Sequence, residues 1–374
     1  MNPVYIVAGT RTAIGDFGGS LKDFAPAELG SLVIAEAVRR AGIAPADVQH
    51  VVVGSVIPST PTDAYVSRVA AVNAGIPIET PALTVNRLCG SGVQAIISIA
   101  QTIALGEAEI GVAAGCESMT RAPHFVTTAR FGQKLGNMTM LDALTTALSD
   151  PFEGYHMGVT AENVAAKYDI SREQQDKLAV ESHARAARAQ AEGRFDTQIL
   201  PVEIKSRKGS VVFARDEHVR ADTTMESLAP LKPVFKKDGT VTAGNASGIN
   251  DGAAAVVLAS EAAVKAKGLK AMAKIIGWGH AGVEPSLMGV GPVKAVPIAL
   301  KRAGLTLDQI DVIEANEAFA AQACGVAQAL GFDPAKVNPN GSGISLGHPV
   351  GATGVIITVK AMYELERIGG RYAV

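Results

Sequence analysis

The run Pro81-Ala82-Leu83-Thr84-Val85-Asn86-Arg87-Leu88-Cys89-Gly90-Ser91-Gly92, followed by the apolar stretch Val93–Leu105, reads as strand, tight turn and helix. Leu83–Asn86 forms the strand, and glycines open the turn. Cys89 therefore sits at a helix N-terminus. There the free N–H groups and the macrodipole favour a thiolate over a thiol. The expectation is an acidic, nucleophilic cysteine.

The same alternation extends outward. Upstream, Val4–Ala8 reads as a strand, Leu29–Ala41 as an amphipathic helix, Val51–Val53 as a strand and Ala64–Ala74 as a helix. Near the C-terminus, Lys274–Gly277 reads as a strand, Val293–Ala303 as a helix and Val312–Ala315 as a strand. Helices over Glu317–Leu330 and Gly354–Glu366 follow, on either side of a Gly-rich loop. This order implies βαβ crossovers and a sheet covered on both faces. The two parts look like copies. Arg40-Ala41-Gly42-Ile43, then Val48 and Val51-Val52-Val53-Gly54, align without gaps on Arg302-Ala303-Gly304-Leu305, Ile310 and Ile313-Glu314-Ala315-Asn316. Gly90-Ser91-Gly92 echoes Gly341-Ser342-Gly343. An internal duplication places equivalent strand-end loops side by side, so Cys89 of one half would meet Asn316 and His348 of the other.

Residues from about Ser118 to Val241 differ in texture. Met119, Arg121, Arg130, Met138 and Met140 precede Asp150–Gly158, and Ser171 with Gln174 forms a capping box for a long polar helix ended by Gly193. Lys205–Gly209 is a basic turn. The segment reads as an insertion over the core, suited to binding substrate.

The 374 residues are 48% apolar, 19% charged and 5% aromatic, which suits large, tightly packed α/β layers. A net charge of −2 provides no global field for nucleic acid or membrane. Three cysteines (Cys89, Cys116 and Cys324) argue for a reducing compartment. No targeting leader and no membrane-length apolar run is seen, so a cytoplasmic protein is expected.

His348 lies in Gly341-Ser342-Gly343-Ile344-Ser345-Leu346-Gly347-His348-Pro349-Val350-Gly351-Ala352-Thr353-Gly354, where glycines and Pro349 hold the ring in one orientation. It is the candidate general base, and His156 a weaker one. The other five histidines read as surface or packing residues, and Cys116 and Cys324 as core thiols. Asn316 reads as a helix N-cap, an oxyanion donor, or both. The loop Thr242–Gly252 has small residues that let a narrow ligand pass close to the backbone. There is no P-loop, dinucleotide fingerprint or metal-ligand spacing. Residue types alone fit a Cys-His protease equally well.

Asn86–Gly92, Asn316-Glu317-Ala318-Phe319 and Gly347-His348-Pro349 together resemble the thiolase family, and within it the bacterial acetyl-CoA acetyltransferases and β-ketothiolases. The similarity spans essentially the whole chain, including Ala114-Gly115-Cys116-Glu117-Ser118-Met119, His156-Met157-Gly158 and Thr242–Asp251. It implies an α/β fold with a duplicated βαβαβ core in αβαβα layers and an inserted loop domain. The expected divisions are 1–117 (completed by about 242–270), 118–241 and 271–374. It implies that Cys89 takes an acyl group from acyl-CoA while His348 accepts its proton. Asn316, through a held water, and His348 would stabilise the acetyl-CoA enolate, and the Cys89 N–H would serve the other oxyanion hole. Leu148, His156, Met157, Arg220, Ser227, Phe235, Ala243, Ser247, Met288, Ala318 and Phe319 fall at positions lining the family's CoA channel. The implied reaction is reversible condensation of acyl-CoA and acetyl-CoA to 3-ketoacyl-CoA plus CoA, with no cofactor, by a homotetramer. The alternative is a non-catalytic or truncated acyl-CoA-binding relative. A related ketoacyl synthase would carry a second histidine where Asn316-Glu317-Ala318-Phe319 stands. The family's Cys-x-Gly turn, whose cysteine removes the α-proton, and a final strand would lie just past Val374. The expectation is that the full protein continues into them.

Overall fold

The computed structural model describes residues 2–206 and 209–374; Arg207 and Lys208 of the basic turn lie outside the described residues. The main strands are β1 (Val4–Thr12), β2 (His50–Gly54), β3 (Ala82–Val85), β4 (Ile110–Ser118), β5 (Asn250–Ser260) and β6 (Ala273–Ile275). The longer helices are α1 (Pro26–Ala41), α2 (Val66–Asn73), α3 (Ser91–Ala104), α4 (Met157–Tyr168), α5 (Arg172–Ala191), α6 (Gly291–Ala303), α7 (Ala320–Leu330) and α8 (Val350–Ile368). Among the described residues no helix is long and apolar enough to cross a membrane.

The strands form one sheet in the order β6-β1-β5-β4-β2-β3. β2 runs parallel to β3 and β4, as the crossovers through α2 and α3 require. β5 is antiparallel to both β1 and β4, so the sheet is mixed. Its chain enters from the long segment after α5 rather than through a βα crossover. β4 and β5 are buried along their whole length and β1 along nearly all of it. This explains their runs of Ala, Val and Gly. Alternate residues of β4 point to opposite faces. Cys116 lies against Gly30 of α1, and Gly115 against Gly351 of α8. α1 and α2 thus cover one face, and α3 and α8 the other.

The copied sequences adopt copied conformations. α1 ends at the left-handed Gly42 (φ 68°, ψ 27°), followed by a 3₁₀ turn at Pro45–Asp47 and β2. α6 ends at the left-handed Gly304 (φ 67°, ψ 30°), followed by a 3₁₀ turn at Leu307–Gln309 and an extended stretch at 311–315. That stretch, read from the sequence as a strand, makes parallel bridges from Val312 to Ala373 and from Ile313 to Val337. Ile310, Ile313, Val326 and Phe332 seal it beneath α6 and α7. On its other side, Lys360 of α8 reaches Glu314 at 2.6 Å, with both side chains buried. The layers therefore run α1/α2, sheet, α3/α8, extended stretch, α6/α7.

In the middle segment, α5 starts at Ser171 with the capping box formed by Gln174. The predicted helix over Glu317–Leu330 starts three residues late, at Ala320 with Phe319 as its cap residue. Asn316 is therefore not an N-cap. Tertiary pairing explains the shift. Ser247 N–H donates to Ala318 O (3.0 Å), Ala320 N–H donates to Asn245 O (2.8 Å), and Ala246 bridges Phe319. The loop Thr242–Gly252 thus holds 317–319 extended.

The layers meet through glycine. A Cβ on Gly54 of β2 would fall 2.7 Å from the Ser91 carbonyl carbon, and one on Gly115 of β4 would fall 2.5 Å from Gly351 O. A Cβ on Gly354 would fall 2.3 Å from Val93 N. Gly354→Ala should cost about 1–3 kcal/mol or more, because rigid backbone must yield. Gly282, with open space around it, provides the control: Gly282→Ala should shift stability by less than about 0.5 kcal/mol. Urea unfolding of the two variants checks this.

Candidate active site

Cys89 stands one residue before Gly90, the cap residue of α3. Asn86 Oδ1 accepts the Leu88 N–H (3.0 Å), and its Nδ2 donates to Val56 O (3.3 Å). Ser91 Oγ donates to Leu88 O (2.6 Å) and accepts the Arg87 N–H (2.8 Å). These bonds force Leu88 to a positive φ of 47°, an unusual conformation for a residue with a Cβ. The Cys89 side chain packs against a cluster of Val56, Ile57, Met119, Ala143, Leu144 and Val350.

Val350 follows His348 by two residues, so α3 and α8 bring the two halves' loops to one place. His348 is buried at the start of α8, and its N–H donates to Asn250 Oδ1 (2.9 Å). Its Nδ1 lies 2.7 Å from Thr353 Oγ1 and 3.3 Å from Asn316 Nδ2. Its Nε2 is buried and has no hydrogen-bond partner. Asn316 and His348 are thus in contact across 32 residues of sequence.

Burial sets the electrostatics. It pushes the Cys89 thiol up from 9.0 to about 11; the residue's own N–H opposes this weakly and the nearby Glu117 charge adds to it. The expectation of an acidic cysteine is therefore overturned. Desolvation is the largest cause and outweighs the residue's own N–H, the one cause that lowers the thiol. Burial also lowers the His348 imidazole from 6.5 to about 4. At neutral pH the site holds a neutral thiol and a neutral imidazole. Desolvation raises Glu117 from 4.5 to about 8, although three backbone N–H groups (Val56, Ile57 and Gly351, at 2.8–3.1 Å) favour its charged form.

The residues predicted to line a ligand channel form a connected wall in part. The Met157 N–H donates to Leu148 O (2.8 Å), and Leu148 touches the Cys89 cluster. His156 caps α4, stacks on Phe235 at 4.6 Å between ring centroids, and Phe235 meets Phe319 edge-on. Ser247 bonds Ala318, and Ala243 lies beside Gly244, which packs under Leu228 and Leu231. Met288 sits on the 3₁₀ segment Pro285–Val290, which packs on α4. Arg220 and Ser227 stand apart from the stack. Both are exposed; the Arg220 N–H bonds His183 Nδ1 and Ser227 bonds Thr224.

Three supporting residues escaped sequence reasoning as site members. Glu117 ties the 55–57 loop to Gly351. Glu317, buried and raised by desolvation, accepts from Ser182 (2.6 Å) and Asn338 (2.9 Å). Thr353 meets His348. All three lie inside motifs already singled out, but nothing local marks what they touch. His218, read as a surface or packing residue, pairs with Asp16. One of the two cysteines read as core thiols differs. Cys324 is partly exposed beside the Phe319 cluster, whereas Cys116 is buried.

A histidine whose pKa is lowered by folding adds stability above its unfolded value, and that stability is lost as pH falls through the folded one. For His348, and for His183, which burial likewise lowers to about 4, the window is 6.5 down to about 4. Stability should fall across that window, and His348→Asn and His183→Asn should each flatten the decline. Denaturant midpoints as a function of pH check this; curves parallel to the unmutated protein's refute it.

Residues 4–262 match the family model "Thiolase, N-terminal domain" and residues 269–374 match "Thiolase, C-terminal domain". The chain is 61% identical over 371 residues to beta-ketothiolase BktB of Cupriavidus necator, covering 99% of this chain and 94% of the relative. The crystal structure of Bacillus anthracis acetyl-CoA acetyltransferase superposes with a TM-score of 0.98 at 47% identity, covering 100% of this chain and 94% of that one. Human mitochondrial 3-ketoacyl-CoA thiolase in complex with CoA gives 0.97 at 46% identity, covering 100% and 93%. With both family models spanning nearly its whole length on a duplicated, layered α/β core, the chain belongs to the thiolase family.

Proposed function

We propose that this thiolase condenses an acyl-CoA with acetyl-CoA, reversibly, through an acyl group carried on Cys89. The observation carrying the reading is the buried, unpartnered Nε2 of His348, on a ring held from its other side and built into the loop that packs with the Cys89 turn. A thiol near 11 and an imidazole near 4 do not rest as an ion pair. The proton therefore leaves Sγ for Nε2 as sulfur attacks the thioester carbon. The Cys89 N–H stabilises the oxyanion, CoA leaves with the proton, and the acyl enzyme remains. In the second half a base takes the α-proton of acetyl-CoA, the role the resemblance gives to the cysteine of the Cys-x-Gly turn, while Asn316, through a held water, and His348 steady the enolate oxygen. The enolate carbon attacks the acyl carbonyl, the C–S bond to Cys89 breaks, and the proton returns to the Cys89 sulfur. The stacked wall of His156, Phe235 and Phe319, with Leu148, Met157, Ala243, Ser247, Met288 and Ala318, would line the pantetheine arm. Arg220 and Ser227, both exposed, would meet the polar end of CoA. The related human thiolase solved with CoA supports this ligand.

The proposed assembly is a homotetramer, a dimer of dimers, in the cytoplasm. Phe131 and Leu135 stand 87% and 90% exposed, near exposed Met138 and Met140, and such apolar surface favours a partner. Three free cysteines fit a reducing compartment. Light scattering should give four chain masses, and a monomer would refute the assembly.

Incubation with acetyl-CoA should leave one acetyl group on the Cys89 peptide, read by mass spectrometry. Cys89→Ala should abolish both the adduct and turnover, and His348→Asn should slow acylation by about 10²-fold or more. Turnover that survives Cys89→Ala would sink the reading.

A further inference from the structure

Thr353 lies in the first turn of α8, buried beside His348 (4% and 5% exposed). Its Oγ1 donates to Pro349 O at 3.0 Å, the carbonyl four residues back. A hydroxyl has one proton and two lone pairs. With the proton directed at Pro349, what Oγ1 presents to His348 Nδ1 at 2.7 Å is a lone pair. Two lone pairs at that distance repel, so Nδ1 must carry hydrogen.

Counting bonds in the alternative agrees. If Nε2 carried the proton, the bare Nδ1 would take a hydrogen bond either from Thr353, which would turn its O–H from Pro349, or from the Asn316 amide at 3.3 Å. Nε2–H would then be a buried donor without a partner, an arrangement costing about 1–3 kcal/mol. The Nδ1–H form keeps both bonds and leaves Nε2 a bare lone pair. In that form the Asn316 Nδ2, 3.3 Å away, faces a ring N–H and forgoes a hydrogen bond to Nδ1. That amide then remains available to a water or an enolate oxygen.

We propose that Thr353 is a positioning residue that locks His348 as the Nδ1–H tautomer and so makes Nε2 the atom that takes the Cys89 proton. The role given to Nε2 rests on the acyl-transfer reading above; the tautomer does not. Nothing in the proposal requires Thr353 to touch substrate.

The test is ¹⁵N NMR of the full protein labelled at histidine, with His348 identified by the signal missing in His348→Asn. Nε2 should show the shift of an unprotonated ring nitrogen and Nδ1 that of a protonated one. Thr353→Val, nearly isosteric but without the hydroxyl, should lose this pattern. It should lower kcat about 10- to 100-fold, the usual cost of freeing an oriented imidazole, with KM within about twofold. Thr353→Ser should keep the pattern and stay within about threefold of the unmutated kcat. A protonated Nε2 in the unmutated protein overturns the proposal, even if Thr353→Val fails to fold. So does Thr353→Val with unchanged spectrum and kcat, or Thr353→Ser falling as far as Thr353→Val. The Nδ1–H pattern in a protein that never acylates Cys89 would refute the acyl-transfer reading while supporting the tautomer lock.

Discussion

The close approach of α3 and α8 to each other and to the strand ends is the constraint on which the rest depends. Gly54 ends β2 and pairs with Gly115 inside the parallel strand β4, and the first turns of the two helices rest on them without room for a methyl group. Gly92 and Gly354 let the helices touch backbone to backbone. Cys89 precedes one helix and His348 the other. One copy supplies a sulfur and the other an imidazole.

The rigidity of that junction depends on buried carboxylates. Glu117 joins the loop beside Cys89 to the first turn of α8 through three backbone N–H groups. Glu317 ties the Asn316 segment to α5 through Ser182. Each is fully desolvated and shifted upward, which costs stability unless every lone pair is used. The same desolvation suppresses the thiolate of Cys89. In the proposed acyl transfer the base must therefore lie within reach, since the charge is not held on sulfur in advance.

Much of this was legible in one dimension. α1, α3, β1, β5 and the capped α5 follow apolar periodicity and turn chemistry, and the thiolase resemblance rests on motifs at the turns. Failures occurred where distant segments compete with local preference. Residues 317–319 carry helix-favouring Glu and Ala, yet Asn245 and Ser247 pull them extended. The acidity of Cys89 was inferred from a helix end that does exist. The error lay in leaving out the apolar cluster around it.

The sequence by itself determined the duplicated α/β order, the strand–turn–helix that carries Cys89, and the candidate site residues Cys89, Asn316 and His348. These follow from residue type and spacing, which are local properties. Only the tertiary structure decided which hydroxyl meets His348, which carboxylate joins the two halves, and whether the thiol is charged at rest. Those outcomes depend on water exclusion and on contacts between residues far apart in the chain, and neither is written in any short stretch of it.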